Sequence, residues 1–320
     1  MAQQCNIYAL YWSCGSKRIN AFLAKFVIRK ENTYKMYLKR TLMGFAAMLL
    51  ASSFAQAQES ETVTIKGPNA PISAVYHKPS TLAEGTKCPI AIICHGFGSN
   101  KEGGLGRQVA VELERRGIAT LLFDFAGSGA SVTEKFKFVN MTVQTEVEDL
   151  EAVIKYARKL PFVEGIALVG HSMGGAVSLL AAADMGKKRV KCLAMMAPAV
   201  VLADDAARGI IFGIPFNPSD PPSRLELMGG QQAIGRKYIE NAQETDFLLE
   251  ATKYRGASLI ICGTADNAVP FTYGKYLQRA LPSSKLILHK GMDHSMMTPG
   301  DAESQANVTR EVADFVASQF

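Results

Sequence analysis

The sequence predicts an α/β fold, with a mostly parallel central sheet covered by helices on both faces and a small lid inserted late in the chain. Three observations carry that prediction. Short apolar runs bounded by glycine or proline recur between residues 60 and 291, with helical patterns between them. The inner runs are apolar at every position rather than every second one, as a sheet buried on both faces requires. The alternation breaks only once, between residues 198 and 256.

Ahead of this pattern lies "MYLKRTLMGFAAMLLASSFAQAQES", starting at Met36. Lys39 and Arg40 precede an apolar run from Leu42 to Ala51, and Ala55-Gln56-Ala57 is a small-x-small cleavage site. The run is about half the ~20 residues that span a bilayer. Residues 36–57 therefore read as a secretory signal peptide cut after Ala57, with residues 1–35 upstream of the true start. The expected mature chain, 58–320, is exported to the periplasm or secreted and has no stable association with a membrane.

Maturation changes the charge. The whole chain holds 35 basic and 29 acidic side chains. Removing the eight bases and one acid of residues 1–57 leaves 27 and 28, a net charge of −1. The excess positive charge belongs to the leader, so nucleic acid is not an expected partner. Four cysteines remain, Cys88, Cys94, Cys192 and Cys262; the last three lie in apolar runs and read as packed thiols.

In chain order, "VTIKG" and "ISAVYHKP" alternate in polarity and predict an antiparallel sheet edge. "IAIICHG", "IATLLFD", "GIALVGHS", "CLAMMAP", "SLIICG" and "KLILHKG" predict the inner strands. Val143, Val147, Leu150, Ile154 and Ala157 form an apolar helical stripe, which is expected to leave Glu146, Glu148, Asp149 and Glu151 mostly solvated. In "DFAGSGAS", Asp124 reads as a brace for a tight turn. The stretch from Pro198 to Leu225 holds five prolines, too many for one helix, yet Ile210, Ile211, Phe212, Ile214 and Phe216 are too apolar for a linker. It reads as a lid over the carboxyl ends of the strands, where open α/β sheets bind ligands.

Gly170-His171-Ser172-Met173-Gly174 follows an apolar strand and precedes a helix-forming run. A sharp strand-to-helix turn exposes its central residue, so Ser172 is the expected nucleophile. A serine hydroxyl needs a base held in place by a carboxylate. His294 and Asp266 follow two later strands and supply both; Asp293, next to His294 in sequence, is poorly placed to face the far side of its imidazole. The backbone amides of Met173 and Phe97 are the expected oxyanion donors. His95 reads as a loop brace, His171 as directed away from substrate, and His77 and His289 as strand residues. The methionine pairs at 195–196 and 296–297 read as packing, with Met296 also a candidate for the pocket wall. No spacing suits a metal site, and "GGLG" lacks the Lys-Ser/Thr of a phosphate loop. No metal and no cofactor is expected.

Across residues 60–320 the chain resembles the serine α/β-hydrolases. It is most similar to the cinnamoyl (feruloyl) esterases, on "HGFGSNK", "DFAGSGAS", "GHSMGGAV" and above all "APAVVLADDAARG…FNPSDPP". The resemblance implies release of hydroxycinnamic acids from plant-derived esters through an acyl-enzyme, with a small aromatic ester as the partner molecule. It also implies a lid at about 198–256 whose acid and tyrosine hydrogen-bond the substrate's phenol, at Asp205 and Tyr238. The chain departs from the pattern at Phe212 and Met173, where family members often carry glutamine. Phe212 is then a substrate-binding position expected to favour less polar rings. Still open from the residues alone are a serine hydrolase of another specificity, a short-acyl esterase or peptidase, and a non-catalytic relative of the fold.

Overall fold

The computed structural model describes residues 59–320. The leader read at 36–57, its cut after Ala57 and the upstream stretch 1–35 lie outside the described residues. The strands, in chain order, are β1 (Ser60–Lys66), β2 (Pro71–His77), β3 (Cys88–Cys94), β4 (Ala119–Phe123), β5 (Val163–His171), β6 (Cys192–Met196), β7 (Ile210–Ile211), β8 (Ile214–Pro215), β9 (Arg224–Leu227), β10 (Gln232–Gly235), β11 (Ala257–Gly263) and β12 (Ser284–His289). The α-helices are α1 (Gly104–Glu114), α2 (Val143–Ala157), α3 (Met173–Met185), α4 (Leu202–Arg208), α5 (Arg236–Glu244), α6 (Phe247–Ala251), α7 (Phe271–Ala280) and α8 (Ser304–Ala317).

Eight strands form one sheet in the order β1-β2-β4-β3-β5-β6-β11-β12. From β4 to β12 neighbouring strands are parallel, while β1 and β2 form the antiparallel edge that their alternating polarity predicts. All seven residues of β3 are buried. Ile90, Ile92 and Cys94 face a core shared with α2 and α3, whereas Ala91 and Ile93 face one shared with α1 and α8. Each large apolar side chain so buried contributes roughly 1.5–3 kcal/mol, and this two-sided covering is why polarity does not alternate in the inner strands.

α2 begins where the sequence supplies reciprocal caps. The Thr142 hydroxyl accepts from the Thr145 amide at 3.1 Å, and the Thr145 hydroxyl accepts from the Thr142 amide at 2.8 Å. Its five stripe residues are all buried, but the expectation of a solvated acidic face fails at two positions: Glu146 is 3% exposed and Asp149 is 1% exposed. The buried arc is wider than the stripe because α2 packs against α5 of the lid as well as α3, and it takes in Val153 alongside both acids. Asp149 accepts hydrogen bonds from the Ala126 amide at 2.8 Å and from the Asn69 side chain at 3.2 Å, so it braces the loop after β4. One Glu146 carboxylate oxygen has no hydrogen-bond partner among the described residues. Burial, with Asp149 adding to it, pushes the Glu146 carboxyl up to about 8; burial pushes that of Asp149 up to about 6.

Residues 198–256 form the predicted insertion, built from α4, the β7–β8 hairpin, the β9–β10 hairpin, α5 and α6. α4 packs on α5, whose Tyr238, Ile239 and Ala242 are buried. The β7–β8 turn is Phe212-Gly213, both at positive φ, 50° and 77°. This is the mirror-image geometry that two-residue hairpins favour, and glycine suits it whereas phenylalanine does not. Of the apolar residues read in this stretch, Ile211 is buried, but Ile210, Phe212 and Ile214 remain exposed. All four described cysteines are free and buried.

Candidate active site

β5 ends at His171, α3 begins at Met173, and Ser172 is the single residue between them. Its backbone lies at φ 54°, ψ −120°, a strained conformation for a non-glycine residue. The flanking glycines make the turn possible. A Cβ on Gly170 would stand 2.3 Å from the Gly174 carbonyl oxygen, and one on Gly174 would stand 2.3 Å from that of Cys94. Backbone passes too close at both positions for any side chain.

Three predicted residues meet above this turn. The Ser172 hydroxyl is 3.0 Å from His294 Nε2, and His294 Nδ1 is 2.8 Å from Asp266 Oδ2. The other Asp266 oxygen accepts from the amides of Ala268 at 2.8 Å and Val269 at 2.7 Å, which fixes the carboxylate in its loop. Its side chain is fully buried and that of His294 is 28% exposed. β6, β11 and β12 lie in register beside β5, so the loops after β11 and β12 open over the same edge of the sheet as the serine. Asp293 sits elsewhere: its Oδ1 accepts from the Ser295 and Met297 amides and closes the turn that carries His294.

Two backbone donors on residues that share the cavity wall with Ser172 have nothing to bind among the described residues. Met173 is the first residue of α3, where helical N–H groups lack intrahelical acceptors, and Phe97 lies in the loop after β3. Neither N–H has an acceptor among the described residues. The Phe97 loop comes close: a Cβ on Gly96 would lie 3.3 Å from that of Ser172.

The remaining histidines behave as supports. His171 Nε2 donates to the His294 carbonyl at 2.8 Å, tying the elbow to the histidine loop. Burial, then the nearby His294, pushes the His171 imidazole down to about 4, which keeps it neutral. This tie is not legible in the sequence, because it joins residues 123 positions apart. His95 Nε2 accepts from the Phe125 amide at 3.3 Å, and His77 and His289 lie in β2 and β12. Asp124 braces its turn through Lys101 and the Ala130 amide. No group of three metal-ligating side chains occurs among the described residues.

Ser172 opens onto a cavity of about 500 Å³. Seven of the eight predicted site residues line it: Phe97, Ser172, Met173, Asp205, Phe212, Tyr238 and His294; Asp266 stands behind His294. The sequence reading did not single out Ala199, Val201, Leu202 and Val269 as wall residues, though they complete its apolar surface. Met296, offered as a wall residue, is buried in the core under α8 instead, and Met297 is 52% exposed rather than packed. Phe97 is a hub, with ring centroids 4.6 Å from Phe212, 5.9 Å from Tyr238 and 4.9 Å from Phe138. Tyr238 is buried, and among the described residues its hydroxyl has only the Met173 sulfur as partner, at 3.9 Å. Asp205 is half-buried and is already engaged by Arg208, one turn on in α4.

A family model described as serine aminopeptidase, S33 matches residues 86–215. Two solved structures of Est1E from Butyrivibrio proteoclasticus, one with ferulic acid bound, are each 29% identical to this chain. Their TM-scores are 0.71 and 0.73, over 81% and 80% of this chain and 98% of theirs. Polyketide transferase ATR5 of Stachybotrys chlorohalonatus is 27% identical over 161 residues, 47% of this chain and 53% of that protein. Protein phosphatase methylesterase 1 of Gibberella zeae is 33% identical over 121 residues, 36% of this chain and 29% of that protein. The chain thus spans about half or less of the curated relatives it matches.

Proposed function

We propose that this chain, an esterase-like member of the α/β-hydrolase superfamily, is a serine carboxylic ester hydrolase that releases hydroxycinnamic acids from plant-derived esters. The observation that carries the reading is the junction of two features: the Ser172–His294–Asp266 relay and an apolar, aromatic-walled cavity with Asp205 and Tyr238 among its lining residues. A planar phenylpropenoyl group matches that combination in size and polarity. The likeness to Est1E, one of whose structures holds ferulic acid, supports the same class of acyl group. The leader read at 36–57 supports a site of action outside the cytoplasm.

The proposed chemistry follows from the distances. As Ser172 Oγ attacks the ester carbonyl, its proton passes to His294 Nε2, 3.0 Å away, and Asp266 holds the imidazole in the tautomer that can accept it. Negative charge develops on the carbonyl oxygen, which the amides of Phe97 and Met173 receive; one such donor lowers the barrier by about 3 kcal/mol. Collapse of the tetrahedral adduct expels the alcohol oxygen, which takes the proton back from His294 and leaves the acyl group on Ser172. Water then attacks by the same path, His294 first accepting its proton and then returning it to Ser172.

The resemblance assigns recognition of the ring hydroxyl to Asp205 and Tyr238. The Arg208 pair qualifies the first: a phenol reaching Asp205 has to share or displace a surface partner, which costs little. The match to a serine aminopeptidase family model keeps an amide-cleaving reading in view. A hydrolysis panel of methyl ferulate, methyl caffeate, methyl cinnamate, short-acyl esters and a peptide amide separates these readings. Hydroxycinnamates are expected to have the highest kcat/KM. Asp205→Ala is expected to cost about 1–3 kcal/mol of transition-state stabilisation for the hydroxylated rings and much less for cinnamate. An equal loss across cinnamates and acetates would assign Asp205 to the lid's structure, and a preference for the amide would overturn the esterase reading.

A further inference from the structure

A second cavity, of about 440 Å³, is lined by Gly98, Ser99 and Asn100 of the loop that carries Phe97. The two meet at a ridge. Phe97 lines the first cavity, Phe138 and Gly98 line the second, and the rings of Phe97 and Phe138 touch edge to face at 4.9 Å. The second cavity has a different chemistry: its wall carries Lys137, Arg224, Asn100, Gln231 and Gln232, and no carboxylate.

Those cations are available. Lys137 is exposed and has no ion pair among the described residues. Among the described residues Arg224 pairs only with Glu226 on the surface, at side-chain exposures of 54% and 53%, a contact that contributes about 0–1 kcal/mol. Gln232 lines the wall as well, with its side-chain oxygen buried and without a hydrogen-bond partner among the described residues. Phe138, half-buried on the ridge, offers an apolar edge.

The geometry points to a subsite for the alcohol half of the ester, shaped for a hydroxyl-rich alcohol that carries a carboxylate. The inference rests on the proposed esterase reading, and it adds what that reading leaves open. With the carbonyl held at Phe97 and Met173 and the acyl group in the apolar cavity, the other ester substituent is free to cross the Phe97–Phe138 ridge. Gly98 on the second wall is the next residue after Phe97. Two cations without a lining acid favour an anion, and the amide side chains of Asn100, Gln231 and Gln232 favour hydroxyl groups.

The test compares two alcohols that differ only in charge: the feruloyl ester of quinic acid and the feruloyl ester of its carboxamide, each read as kcat/KM relative to methyl ferulate on the same preparation. That ratio cancels losses from incomplete folding. The acid is expected to exceed the amide by about 10-fold at low ionic strength, with the gap closing in salt as exposed charges are screened. Lys137→Gln and Arg224→Gln are each expected to shrink the gap about threefold, in line with about 0.6 kcal/mol for an exposed pair. Equal ratios for acid and amide in the unaltered enzyme, or an unchanged gap in the double variant, would overturn the subsite. The acetyl esters of the same two alcohols separate this outcome from failure of the acyl reading. A charge-dependent gap there without any preference for ferulate would sink the hydroxycinnamate assignment and leave the subsite standing.

Discussion

Replacing Glu146 by glutamine removes a buried carboxyl while keeping its shape, and the structure sets the sign and size of the effect. Glu146 is 3% exposed, one of its oxygens is unpartnered, and burial pushes its carboxyl up to about 8. In the unfolded chain it titrates near 4.5. Because the folded-state value is the higher one, the native state holds the proton that the unfolded chain releases. The associated stability is therefore fully present below about pH 4.5 and declines as pH rises towards about 8. The slope is about 1.4 kcal/mol per pH unit, so on the order of 3 kcal/mol is lost by pH 7. Glu146→Gln has no such proton to lose. Urea midpoints measured at pH 5, 6, 7 and 8 should show the variant gaining on the unaltered protein across that range. Asp149, pushed up to about 6, contributes a similar decline between about pH 4 and 6 in both proteins and cancels in the difference. Parallel stability curves for the two proteins would refute the reasoning, because they would mean that Glu146 is ionised and solvated in the native state.

Two further predictions concern the site. Ser172→Ala and His294→Ala should each remove at least about three orders of magnitude of kcat, and Asp266→Asn should cost a comparable amount, since the members of such a relay act as a unit. Asp293→Asn should change kcat by less than about 10-fold, and a reversal between the two aspartates would overturn the assignment of Asp266. Phe212→Asn trades a bulky residue at φ 50° for one that accepts that backbone, and at the same time removes the tilted ring contact with Phe97 at 4.6 Å. Each effect is worth roughly 1 kcal/mol and they oppose each other. Thermal stability should therefore hold within about 1 kcal/mol while KM for feruloyl esters rises. A fall of several degrees in Tm with KM unchanged would make Phe212 a structural residue.

What the sequence disclosed about the fold depended on how local the cause was. The inner strands were legible because burial on both faces writes itself into every position of a run such as Cys88–Cys94. The antiparallel edge was legible because one wet face restores alternation in β1 and β2. The acidic face of α2 was misread for the complementary reason. A helical stripe reports the side that packs on the sheet, but α5 covers a flank of α2 after 78 intervening residues, and nothing near Glu146 announces it. A charged residue beside Val153, itself fully buried, was the one signal available.

The site divides along the same line. Ser172, Asp266 and His294 were found because each stands just past a strand, and a parallel sheet brings consecutive strand ends to one edge without help from distant sequence. The lid obeys no such rule. Its hairpin tip at Phe212 and its helix α5 at Tyr238 meet the loop after β3 through the ring of Phe97, which also touches Phe138. That single side chain stands between the apolar cavity and the cationic one, so the residue predicted only for its backbone amide also forms the boundary between the two halves of the proposed ester. It follows that shortening Phe97 should blur acyl and alcohol preference together, whereas changes at Phe212 or Lys137 should each affect one side of the ridge alone.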